Sequence, residues 1–100
     1  MLRIKSGVEM VNISPQITLA IQIAHSVYSQ FNTDCVITSL TDGKHRENSL
    51  HYKGLAVDLR TRNIQKDQKI PLINTLRSEI GENYDVVLEK THVHIEYDPK

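Results

Sequence analysis

Ser49-Leu50-His51-Tyr52-Lys53-Gly54-Leu55-Ala56-Val57-Asp58 is the stretch on which fold and chemistry turn together. Leu55 to Leu59 has the apolar character of a buried strand, and Asp58 interrupts it. A buried carboxylate without a partner costs several kcal/mol. Asp58 therefore requires a metal, an arginine such as Arg60 or Arg46, or a ring of backbone amides. His51 stands seven residues earlier, with Gly54 between them. Glycine adopts backbone conformations closed to other residues, so the chain can bend there and aim both side chains at one point. Far downstream, His92-Val93-His94 puts two imidazoles on one face of a strand, with Val93, Ile95 and Tyr97 on the other. His51, Asp58 and His94 form a set suited to one zinc ion with a fourth position open for water. Glu89 precedes the histidine pair across a turn and can approach the same place. A carboxylate there is what a hydrolytic zinc site needs as general base.

Working outward, four of the five histidines (His45, His51, His92, His94) lie in or beside these two segments. His25 reads instead as a solvated or packing residue on a helix. The chain has 100 residues, enough for one domain with a modest core. Twelve basic and twelve acidic residues balance, and no basic stripe is visible. Nucleic acid and anionic membrane are therefore not expected partners. The single cysteine, Cys35, excludes an internal disulfide and reads as a buried thiol. Met1 to Lys5 opens no apolar stretch of signal-peptide or membrane-spanning length. The expectation is a protein made in the cytoplasm, without membrane insertion, that reaches any outside target by release or carriage.

Residues 1–13 alternate loosely and suggest an edge strand or ordered arm. Ser14-Pro15 is a helix start, and Ile17, Ala20, Ile21, Ala24, Tyr28 and Phe31 continue a helical stripe over 15–31. Cys35 to Ser39 and Leu55 to Leu59 read as strands, separated by a polar loop over 41–48. Asp67 to Ile80 repeats Ile70, Ile73, Leu76 and Ile80, tolerates Pro71 near its start and stops at Gly81. Residues 84–89 and 92–97 form a hairpin about Lys90-Thr91. The order β, α, β, β, α, β, β predicts an α+β domain with two main helices on a mostly antiparallel sheet.

These residues resemble the zinc D-alanyl-D-alanine carboxypeptidases and phage endolysin peptidases, which share a fold with the Hedgehog signalling domain. The common pattern is S-x-H-x-x-G-x-A-x-D, later H-x-H. Ser49, His51, Gly54, Ala56, Asp58, His92 and His94 match every fixed position. Asp42-Gly43, His45, Leu50-His51-Tyr52 and Ala56-Val57-Asp58 are similar to the Hedgehog version. The resemblance implies a Hedgehog/DD-peptidase-like fold over a single domain, 1–100. It implies one zinc on His51, Asp58 and His94, Glu89 as general base, and His92 stabilising an oxyanion or orienting the base. Some relatives place the acid three residues before the ligand, which would fit Glu89 with His92. The double-histidine relatives use the second histidine, here His94. Many relatives also carry an S-G-x-R element whose arginine binds a substrate carboxylate. The corresponding place is Thr38-Ser39-Leu40-Thr41, so Arg46 or Arg60 would have to substitute. Ser49 and His45 would complete the substrate side.

The implied activity is hydrolysis of peptide bonds in bacterial peptidoglycan, with the stem peptide as partner. A phage or prophage product, released or mounted on a virion, fits that activity. The alternative is a Hedgehog-like, zinc-stabilised binding module without peptidase activity. Oligomeric state is left open.

Overall fold

The computed structural model describes residues 1–41 and 53–99. Among the described residues five strands form one sheet: β1 (Leu2–Ile4), β2 (Cys35–Ser39), β3 (Ala56–Arg60), β4 (Tyr84–Leu88) and β5 (His92–Tyr97), in the order β1-β2-β3-β5-β4. β1 runs parallel to β2, and every other neighbouring pair is antiparallel. Helices α1 (Pro15–Gln30) and α2 (Lys69–Ile80) pack on one another and on the sheet. The α+β architecture read from the sequence is the one observed.

Local chemistry accounts for the elements. The Ser14 hydroxyl accepts a hydrogen bond from the Ile17 N–H at 3.2 Å, capping α1, and Pro15 occupies its first turn. Ile17, Ala20, Ile21, Ala24, Val27 and Tyr28 make its buried stripe. The Tyr28 hydroxyl crosses to the sheet and donates to the Arg60 carbonyl at 2.8 Å. The Tyr84 hydroxyl likewise donates to the Gln16 carbonyl at 2.7 Å, tying β4 to α1. Cys35 is fully buried, and desolvation pushes its thiol pKa up to about 12. Gly81 stops α2 with φ at 87°.

Two expectations need correction at α2. A 3₁₀ turn over Lys66–Gln68 precedes it, so the α-helix begins at Lys69 and not at Asp67. Ile70 is exposed, while Leu72 is buried with Ile73, Leu76 and Ile80. At 3.6 residues per turn, Ile70 falls roughly 100° from the middle of that stripe. Its spacing to Ile73 suggested a shared face that the full helix does not give it.

Gly54 anchors the start of β3. Its φ is +70°, and a Cβ there would overlap the Asn12 carbonyl. The Gly54 carbonyl accepts from the Ser14 N–H at 3.0 Å. The glycine was expected to permit a bend. It also lets the arm before α1 lie directly against the chain entering β3.

Sheet register sorts the side chains of β3 and β5. Asp58 faces His94 and Arg60 faces His92, while Val57 pairs with Ile95 and Leu59 with Val93. The second group is fully buried against the helices. Asp58, Arg60, His92, His94 and Glu96 share the opposite face.

Candidate metal centre and its cleft

Asp58 lies in the central strand, flanked by β2 and β5. Its side chain is 12% exposed, yet it is not starved of partners. His94 donates through Nδ1 to Asp58 Oδ1 at 2.9 Å and through Nε2 to Glu96 Oε1 at 2.8 Å. The hydrogen bond to Asp58 raises the His94 pKa, with Glu96 adding to it, against the lowering effect of burial. Both partners are carboxylates, which accept hydrogen bonds only, so each contact favours a proton on the ring nitrogen that makes it. Asp58 Oδ2 is also 3.8 Å from His92 Nε2. His92 Nδ1 lies 3.2 Å from the Thr91 hydroxyl.

The pair Asp58 and His94 fits a divalent metal. At zinc bonds of about 2.0–2.1 Å, two donors on one tetrahedral ion stand roughly 3.3 Å apart. The observed 2.9 Å between His94 Nδ1 and Asp58 Oδ1 needs only a small side-chain shift. Metal-ligating histidines commonly give their second N–H to a carboxylate, which fixes the ring. Glu96 holds the His94 ring in that way. Binding a cation at Nδ1 would displace the proton now shared with Asp58.

The sequence did not single out Glu96, although the signal was present. His92, His94 and Glu96 occur at every second residue of one strand and therefore share a face. Glu89 is on that face too, because its N–H donates to the His92 carbonyl at 2.8 Å. Its side chain is exposed and makes no hydrogen bond among the described residues. Directly opposed residues are near neighbours across antiparallel strands, so Glu89 stands within reach of His92. His51, Ser49, His45 and Arg46 lie outside the described residues.

A cleft of about 410 Å³ opens beside Asp58 and His92. Arg60, the proposed substitute for the missing arginine, lines it together with Thr38 and Ser39. Those two residues belong to the segment that corresponds to the relatives' S-G-x-R element. A separate group, Asp85, Glu96 and Asp98, brings carboxylate oxygens within 4.8 Å of one another. Its donors are all hard oxygens, unlike the imidazole–carboxylate pair favoured by zinc. Glu96 belongs to both arrangements.

The fold and this face define a Hedgehog/DD-peptidase-like domain with metal-ligand chemistry on the sheet. The chain belongs to the Hedgehog amino-terminal signalling domain family, whose model matches residues 16–96. That family lies in a superfamily that binds zinc and contains zinc peptidases. No curated protein matches the chain.

Proposed function

We propose that this domain is a zinc-dependent peptidase that hydrolyses peptide bonds of bacterial peptidoglycan. The observation that carries the reading is the Asp58–His94 pair, with its second nitrogen held by Glu96, at the edge of a cleft. His51 would complete the ligand set. Zinc, when bound, would polarise the scissile carbonyl and lower the pKa of water toward about 7. Glu89 takes the proton from the attacking water and returns it to the leaving amine. His92, beside Asp58 and lining the cleft, donates its N–H to the developing oxyanion, where such stabilisation is usually the largest catalytic contribution. Asp58 and Glu96 fix the His94 ring.

The test is release of free amino groups from purified peptidoglycan, with zinc and after chelation, and mass spectrometry of the products. Zinc-dependent release is expected, and the product masses name the bond. Glu89→Ala should abolish turnover while one zinc stays bound. Turnover retained in that variant removes Glu89 from its role. The family match and the exposed position of Glu89 favour a second reading, a zinc-stabilised binding module. A protein that holds one zinc and releases nothing supports that reading.

A further inference from the structure

The two edges of the sheet are finished differently. At β4, the Asn83 carbonyl accepts from the Asp98 N–H and the Glu89 N–H donates to the His92 carbonyl. By alternation, Tyr84, Val86 and Leu88 turn their backbone groups outward. Arg77 of α2 closes that edge at its centre, donating from Nε and Nη2 to the Val86 carbonyl at 3.3 and 3.1 Å. Covering an edge in this way keeps a sheet from pairing with other chains. At β1, the Met1 carbonyl accepts from the Cys35 N–H at 3.0 Å and the Lys5 N–H donates to the Ile37 carbonyl at 2.9 Å. The odd-numbered residues thus pair with β2, and Leu2 and Ile4 turn their N–H and C=O groups to the open side. No hydrogen bond among the described residues reaches those groups.

The side chains of β1 are uncovered as well. Leu2 pairs with Cys35 and Ile4 with Ile37, so both lie on the face that carries the core. The helices pack over β2, β3, β4 and β5. Cys35 and Ile37 are buried beneath them, while Leu2 is 38% and Ile4 49% exposed. Arg3 and Lys5 alternate with these two and occupy the opposite face. Asp34 holds Arg3 at 2.9 Å, and Lys5 forms no ion pair among the described residues. A short edge strand that bears charge is itself a common defence against pairing. Here the strand's own charges have one sign and one face, and the other face is apolar. Such an edge rejects some strands and accepts others.

We propose that β1 receives an extended segment of another protein as an added antiparallel strand, in which apolar residues alternate with acidic ones. The outward groups of Leu2 and Ile4 supply its main-chain hydrogen bonds, and its side chains supply specificity. Its apolar side chains cover Leu2 and Ile4, and its carboxylates face Arg3 and Lys5. Arg3 then stands in the non-hydrogen-bonded position, where opposed side chains come closest. A second copy of this chain fits less well. Antiparallel β1 strands that match Leu2 with Ile4 set the two copies of Arg3 against one another. β2 lies between β1 and the strand that carries Asp58, so the docking edge is independent of the metal centre and of hydrolysis.

The experiment titrates the full chain with a short capped peptide alternating valine and glutamate, and with its valine–lysine counterpart. Backbone amide shifts and hydrogen exchange are followed by NMR, with one equivalent of zinc and again with chelator. The glutamate peptide should bind saturably in both conditions and protect the Leu2 and Ile4 amides. The lysine peptide should bind about tenfold more weakly. Ile4→Pro removes an outward donor while sparing the bonds to β2, and should abolish binding. Lys5→Glu should weaken the glutamate peptide and strengthen the lysine peptide, each by about threefold. Equal affinity for the two peptides overturns the proposal, as does the absence of saturable binding. Protection of Tyr84, Val86 and Leu88 in place of Leu2 and Ile4 overturns it too. Binding seen only with zinc assigns the peptide to the metal centre. Concentration-dependent protection of Leu2 and Ile4 without peptide assigns the edge to a second copy. Either result overturns the proposal. Should Ile4→Pro not fold, the two peptides and Lys5→Glu still decide.

Discussion

The two faces of strands β3 and β5 use alternate residues of the same ten-residue pairing for opposite ends. Val57, Leu59, Val93 and Ile95 face the helices and are wholly buried. Asp58, Arg60, His92, His94 and Glu96 face away, and three of them, Asp58, Arg60 and His92, line the cleft. Burial of a side chain such as Ile95 contributes about 1.5–3 kcal/mol. The polar face contributes less to stability and instead creates an arrangement that costs energy unless every member is partnered. The rigid apolar face thus holds the strands in register, and the register brings Asp58 and His94 together. A site built this way tolerates no one-residue slip, which would exchange the two faces.

Substitutions can break the faces separately. Ile95→Ala, on the buried face, should lower unfolding free energy by about 2–5 kcal/mol in urea titration. Zinc stoichiometry should be unchanged at temperatures where the variant stays folded. Loss of zinc without loss of stability would contradict the division of labour. Gly54→Ala strains a positive φ and drives a Cβ into the Asn12 carbonyl. Its expected cost is about 1–3 kcal/mol, seen as a lower urea midpoint. This substitution should injure both faces, because Gly54 leads directly into β3.

On the polar face, Glu96→Gln should leave the urea midpoint nearly unchanged and weaken zinc binding by about 10- to 100-fold in competition with a chromophoric chelator. A stability loss as large as that of Ile95→Ala would make Glu96 a packing residue. The smallest effect lies at the sheet edge, away from both faces. Asp34 accepts from Arg3 Nε at 2.9 Å and lies 3.3 Å from the N-terminal ammonium. The Arg3 hydrogen bond, joined by the terminus, holds its pKa below the ordinary carboxylate value. A depressed folded-state pKa gives stability that is complete above the unfolded value, about 3.9, and fades as pH falls through the folded one. Asp34→Asn should therefore be slightly less stable than wild type at pH 6 and equal to it near pH 2. A difference that persists at low pH would exclude this ion pair as its source. Added salt should shrink the difference at pH 6.

Much of this was legible in the chain before any fold was known. Asp58 announced itself by interrupting an apolar run. Ser14-Pro15 and Gly81 marked the helix limits from capping chemistry alone. The alternation in His92-Val93-His94-Ile95 assigned residues to faces, because side-chain direction along a strand is a local property with period two. The same rule extends to Glu96, two residues beyond His94 on the same strand face. Ile70 misled because a spacing of three is compatible with a shared helix face without ensuring it.

Other features have no local signature. That Asp58 meets His94, 36 residues away, depends on β5 pairing with β3 and not merely with its hairpin partner β4. That Lys5 shares a cleft with Arg60 and Arg62 depends on β1 joining β2 in parallel at the other side of the sheet. The sequence by itself determined which residue types were available, which face of its own strand each would occupy, and where the helices stop. Tertiary structure alone decided which strands are neighbours and in what register. Those choices follow from the packing of α1 and α2 over the apolar face, summed over the whole core, and no single segment carries that sum.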